Sequence, residues 1–234
     1  KTEFIFLTEI RQNLKNAWKI LNKDPHVAYE KVVNILKEIR RIKTRDSITF
    51  ITSDAIYLYE LIALHVLGYA YLSMGNSVKA RDIAEELIDV SKLSNNLEYQ
   101  SLAEVIIAKL EIQVGHWEIA KQLLKKAIPI LEDKHNYEFI QSALIDRAVI
   151  EQAQDNYEKC ISLLLQAEAE YQKHPVNPRV ASVIMSNMAD VYLRVGNLDK
   201  AIEYITKSLE TTKQSEDFLR YANALLRLSN IYSL

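Results

Sequence analysis

One pattern returns four times along this chain and constrains its fold more than any other feature. It is written most clearly in Asp190–Ser208, where a helical run ends at Gly196-Asn197 and a second begins at Leu198-Asp199-Lys200-Ala201. Upstream versions occupy Ala70–Leu87, Ile112–Ala127 and Glu151–Ala167. The turn centres Gly75, Gly115, Asp155 and Gly196 follow one another at intervals of 40, 40 and 41 residues. A period of this size marks an array of helix hairpins in which each unit covers the apolar face of its neighbour. With that growth rule, 234 residues need no single central core.

Composition agrees. Four glycines and four prolines leave little turn material for a β architecture and suit long helices joined by tight turns. Apolar positions recur at helical spacing in Glu3–Leu21, through Phe6, Ile10, Leu14, Ala17, Trp18 and Leu21. Asp24 then caps a helix that opens with Pro25 and carries Ala28, Val32, Ile35 and Ile39 on one face. A longer connection over Thr44–Ser53 follows, and Ser53 or Asp54 is the expected cap of the next helix. Further helices are expected over Ser77–Leu93, Leu97–Val114, Trp117–Asp133, Tyr137–Ala153, Tyr157–Lys173, Arg179–Val195, Leu198–Thr212 and Asp217–Tyr232. Pro129 should kink or loosen the last turns of its helix. The expected fold is all-α: a right-handed superhelical solenoid of about five antiparallel hairpins plus one extra helix. An atypical capping hairpin and loop take 1–53, and a continuous array takes 54–234. Its repeats fall near 61–100, 101–140, 141–181 and 182–221, with a partial one over 222–234.

Charge and chemistry exclude several function classes. With 29 basic and 31 acidic residues, no electrostatic pull toward nucleic acid is expected. The basic cluster Arg40-Arg41-Lys43-Arg45 reads as helix-end cations complementing the dipole. Cys160 is the sole cysteine and fills the slot held by Ala80, Ala120 and Ala201, so it reads as a small core residue. Histidines 26, 65, 116, 135 and 174 are dispersed, without a metal-binding spacing, and no phosphate loop or nucleophile elbow occurs. Acidic pairs such as Glu85-Glu86 and Glu168 with Glu170 read as solvated helix faces. No catalytic centre, metal or cofactor is expected. No stretch reads as a membrane span or a signal peptide. The expected compartment is the cytoplasm, or the periplasm if a leader has been removed. The opening at Lys1 without methionine reads as the start of an excised fragment.

The residues around the turns resemble the tetratricopeptide-repeat family. Leu64, Leu67-Gly68, Tyr71 and Ala80 follow that family's order of large apolar, small, aromatic and small residues. So do Met185, Met188-Ala189, Tyr192 and Ala201, and the set Leu225, Leu228-Ser229 and Tyr232 begins it again. In the central repeats Glu111 and Glu151 stand where the aromatic belongs. The spacing of about 40 exceeds the family's usual 34 and is similar to long repeats in bacterial peptide-sensing regulators, sensory portions of diguanylate cyclases and kinesin light chains. The resemblance implies a non-catalytic scaffold whose first helices line a concave groove for an extended peptide or protein. Projected onto those helices, the groove-lining residues are His65, Tyr69, Lys109, Gln113, Gln152, Asn187, Asp190, Arg194, Asn223, Arg227 and Asn230. Asparagine amides there can hold a peptide backbone, and Arg194 or Arg227 can fork onto a carboxylate. The family's carboxylate clamp for chaperone tails is met in only two of five slots, by Asn187 and Arg227. The implied setting is the regulatory module of a larger signalling protein, or a sensory arm governing an appended effector through ligand-dependent dimerisation. The apolar face of Asp217–Leu234 lacks a second helix and implies a continuing chain or a homodimer contact.

Overall fold

The computed structural model describes residues 2–21, 23–44, 50–214 and 218–232; within these, the side chains of 2–6, 50–52, 214, 218–220 and 230–232 are not described. Eleven α-helices and no strand occur among the described residues: α1 (Thr2–Leu21), α2 (Pro25–Lys43), α3 (Phe50–Ser73), α4 (Ser77–Leu93), α5 (Leu97–Gln113), α6 (Trp117–Asp133), α7 (Tyr137–Ala153), α8 (Tyr157–Lys173), α9 (Pro178–Arg194), α10 (Leu198–Gln214) and α11 (Phe218–Tyr232). They form two compact units, Lys1–Ile130 and Leu131–Leu234.

The first unit is built around α3. This helix packs against α1, α2, α4 and α5, so it needs apolar side chains on most of its circumference rather than one stripe. Leu61, Leu64, Val66 and Leu67 are buried with Ile10, Leu14 and Ala17 of α1, Val32, Leu36 and Ile39 of α2, and Leu87 of α4. Each fully buried leucine or isoleucine contributes about 2 kcal/mol by removal from water. On α2 the core residue is Leu36, whereas Ile35 is only partly buried. α3 begins at Phe50, ahead of the expected caps Ser53 and Asp54, which lie inside the helix. The expectation that no stretch reads as a membrane span meets one marginal case in this helix, which packs as the core helix of the unit. Ser53–Ser73 is long and apolar enough by length and composition, with mean hydropathy 1.4 and 56% of the window buried in this unit.

Glu60 on α3 is buried and explains the basic end of α2. Lys43 Nζ lies 2.6 Å and Arg40 Nε 3.7 Å from its carboxylate, and Arg40 also pairs with Glu86. These cations neutralise a buried acid rather than merely facing a helix end, and Glu86 is not free on a solvated face. Arg45 lies outside the described residues. At the start of α2, Asp24 accepts from the backbone N–H of His26 and Val27, with Pro25 in the first turn.

The second unit pairs α7 with α8, lays α9 against both, and continues with α10 against α9 and α11 against α10. Its core includes Phe139, Leu144, Ile150, Leu164, Ile184, Met188 and Ile205. The seam between α9 and α10 is partly polar. Ser186 and Ser208 hydroxyls lie 3.0 Å apart, and Ser208 donates to Ser182 O at 3.3 Å. α6 runs unbroken through Pro129 to Asp133.

The four turn centres share one geometry. Gly75, Gly115 and Gly196 have φ of 72°, 81° and 75°, and Asp155 has 59°. Each lets the chain close a Schellman-type bond, from Asn76 N to Tyr71 O, His116 N to Glu111 O, Asn156 N to Glu151 O and Asn197 N to Tyr192 O, all 2.8–2.9 Å. Asn76 and Asn197 then cap the following helices by accepting from Lys79 N and Lys200 N. The residue that starts this motif is the slot in which the tetratricopeptide pattern has an aromatic, and the structure shows why glutamate fits there. In the tyrosine versions a lysine eight residues on lies over the ring: Lys79 is 5.5 Å from the Tyr71 centroid and Lys200 is 4.9 Å from that of Tyr192. In the third hairpin the lysine at the same offset, Lys159, lies 2.9 Å from the Glu151 carboxylate, which also accepts from Asn156. In the second, Ile119 replaces that lysine, and Glu111 is held by Arg81 of the preceding helix at 2.5 Å and by His116 at 2.7 Å. Hydrogen bonds from Arg81 and His116 hold the Glu111 carboxyl below its usual range.

Candidate functional site

Within each unit the face to consider is the one presented by the first helices of its hairpins: α3 and α5 in the first unit, and α7, α9 and α11 in the second. Helical periodicity sends one side of each into the core and leaves the opposite side to carry polar residues.

In the first unit the structure corrects part of the sequence-based face. His65 is 6% exposed and is core rather than groove. Trp18 of α1 stacks on its ring with centroids 5.1 Å apart, and Tyr69 and Tyr99 meet it edge-on at 5.1 and 6.1 Å. Projection along α3 alone cannot show that the N-terminal hairpin covers this side. Burial lowers the imidazole to about 3 from an ordinary 6.5, so His65 is neutral near pH 7. Tyr69 is drawn into the same cluster, half-buried against Trp18 at 5.7 Å. Lys109 is half-buried, and Gln113 is exposed and accepts from Ser77 Oγ at 3.3 Å.

In the second unit the predicted residues are more open. Gln152 on α7 and Asn187 and Asp190 on α9 are half-buried, while Arg194, Asn223 and Arg227 are exposed. The side chain of Asn230 lies outside the described residues. Asn187 spends one amide N–H on Val183 O of its own helix, 2.8 Å away. Arg227 of α11 reaches α9, where Nη1 donates to Asp190 Oδ2 at 2.6 Å and approaches Ser186 O at 3.4 Å. Burial raises the Asp190 carboxyl, and Arg227 and then Arg194 oppose that shift. Arg194 also donates toward Tyr157, whose hydroxyl donates to Asp155 Oδ1 at 2.6 Å. The structure therefore brings Asp190, Arg194 and Arg227 together on one surface with Asn187 beside them.

Two features escaped the sequence reading. An open cleft of about 900 Å³ lies at the hairpin-turn edge, lined by Asp155, Asn156, Tyr157, Lys159 and Val195, and a smaller one runs along α8 past Ile161, Leu165 and Ala169. Glu158 and Ser162 line both. The signal was present as apolar residues on the outward side of α8, but periodicity gives no reason to expect a depression there. The connection into α9 is the other. Fully buried Gln141 donates to His174 O at 2.9 Å, and the His174 ring stacks on Tyr137 with centroids 3.6 Å apart.

Among the described residues no group of three or more His, Cys, Asp or Glu side chains is placed to hold a metal ion. Cys160 is 1% exposed, and burial together with Glu151 pushes its thiol up to about 11, which suppresses the nucleophilic thiolate.

Residues 184–217 match the family model for the tetratricopeptide repeat. No curated protein sequence matches the chain. Among solved structures it is similar to aspartyl phosphate phosphatase F from Bacillus subtilis, at 14% identity and TM-score 0.66, covering 99% of this chain and 57% of that one. It is also similar to a Signal Transduction ATPase with Numerous Domains carrying a tetratricopeptide repeat sensor, from Pyrococcus horikoshii (18%, TM-score 0.67, 97% of this chain and 33% of that one). NprR in complex with its cognate peptide NprX is a third (15%, TM-score 0.62, 95% and 60%). This chain thus spans less than two thirds of the length of each. At these identities the likeness is one of fold, and that fold is a tetratricopeptide-like stack of antiparallel helix hairpins.

Proposed function

We propose that this chain is a non-catalytic binding module of the long-repeat tetratricopeptide kind, which holds an extended peptide or protein segment on its first-helix face. The observation that carries this reading is the row of accessible polar side chains on α7, α9 and α11: Gln152, Asn187, Asp190, Arg194, Asn223 and Arg227. Amides and guanidinium groups set along successive parallel helices match the donors and acceptors of an extended backbone. The fold likeness to NprR, solved with its cognate peptide, is consistent with that use. The reading places the module in the cytoplasm as the regulatory part of a larger bacterial signalling protein. A variant of it, a sensory arm controlling an attached cyclase or transcription regulator through dimerisation, is favoured by the match to one third of a sensor-bearing ATPase.

The test is selection from a random linear peptide library on immobilised protein, followed by titration of the winners against Asn187→Ala/Asn223→Ala. Binding weakened tenfold or more supports the face. Winners that bind wild type and variant equally, or no winners at all, refute it.

A further inference from the structure

The free protein already places an anion on this face. Asp190 engages Arg227 at 2.6 Å, and Arg194, four residues further along α9, also acts on it electrostatically. Arg227 belongs to the next hairpin, 37 residues on, and its side chain remains 43% exposed. Its approach to Ser186 O is long at 3.4 Å. Arg194 is exposed and turned toward the hydroxyl of Tyr157. The arginines therefore retain accessible N–H groups, while the best-aligned carboxylate position is filled from within.

We propose that Asp190 is an internal competitor that occupies the Arg194–Arg227 pair until an acidic segment of the partner replaces it. This rests on the peptide-binding reading and adds to it the charge of the partner and a closed resting state. A half-exposed ion pair is a weak lock, worth up to roughly fivefold in population, so exchange with an incoming carboxylate is thermodynamically accessible. The observed affinity is the intrinsic one reduced by the fraction of molecules in which the arginines are free. Because Arg227 reaches from α11 to α9, exchange also releases a tie between consecutive hairpins, coupling occupancy to how firmly α11 is held.

The probe is fluorescein-labelled hexaglutamate, with hexaglutamine as the uncharged control, read by fluorescence anisotropy at fixed ionic strength. Asp190→Asn keeps the shape and removes the charge, and Asp190→Ser provides a second route should the first fold poorly by circular dichroism. Both should bind hexaglutamate tighter than wild type, by roughly two- to fivefold, and adding Arg194→Ala and Arg227→Ala should abolish the gain. Hexaglutamine should not respond. Equal or weaker binding by both Asp190 variants, or no binding by any form, overturns the competitor. The two readings fail separately. Library peptides that depend on Asn187 with no response at Asp190 sink only the competitor. A several-fold gain at Asp190 without library winners sinks the peptide face and leaves a simple anion site.

Discussion

His65 should make the first unit acid-sensitive in a way that one substitution removes. Its imidazole is held at about 3 against 6.5 by burial, among the rings of Trp18, Tyr69 and Tyr99. Below 6.5 the unfolded chain takes a proton that the folded chain refuses until about 3. Stability is therefore lost as pH falls through that window, by about 1.4 kcal/mol per unit and about 5 kcal/mol in all, while above pH 7 this residue adds no pH dependence. Between pH 7.5 and pH 4.5 the loss attributable to His65 is about 3 kcal/mol. His65→Phe keeps an aromatic ring against Trp18 and cannot titrate. Urea unfolding followed by tryptophan fluorescence at the two pH values should show wild type losing about 3 kcal/mol more than the variant, the carboxylates being common to both. Equal losses would refute the argument, because they would mean that the imidazole is protonated in the folded state at no cost.

Two further substitutions probe the turns and the aromatic slot. Gly75→Ala should cost about 1–2 kcal/mol in chemical denaturation, purely from its φ of 72°, because an added Cβ meets nothing within 4 Å; an unchanged midpoint would show that the turn can relax. Lys159→Met should cost about 2 kcal/mol by removing the cation from the 3%-exposed Glu151, which keeps its hydrogen bond from Asn156, less than for a fully buried pair because the lysine itself is more than half exposed. In a Glu151→Tyr background the same change should cost under about 1 kcal/mol, as only a cation–π contact is lost. Equal costs in the two backgrounds would mean that Glu151 and Lys159 are not coupled.

How much the sequence revealed depended on the range of the interaction. Turn centres were legible because positive φ is a local demand: three glycines and one aspartate stand at the four turns within the hairpins. Several helix limits, such as Ser77–Leu93 and Trp117–Asp133, were legible for the same reason. The burial of His65 was not, since the residue that covers it, Trp18, lies 47 positions earlier in an atypical hairpin. The accommodation of Glu111 was hidden likewise, because Arg81 comes from the preceding hairpin. Helical projection gives the side of a helix on which Asn187 and Asp190 lie. It cannot say that Asn187 bonds back to Val183, or that Asp190 is already engaged by Arg227.

The lysine eight residues beyond the aromatic slot bears on how such arrays diverge. Lys79 and Lys200 lie over tyrosine rings, and Lys159 neutralises a glutamate, from the same offset in the repeat. An ammonium group on a flexible stem is indifferent to whether its counterpart is a π face or a carboxylate, so either residue can be exchanged without first altering the other. Such a position is buffered: its occupant can drift between two chemistries while the backbone turn persists. Repeats within one chain can then lose their likeness to one another in sequence faster than in shape, and each hairpin becomes free to specialise its outward face.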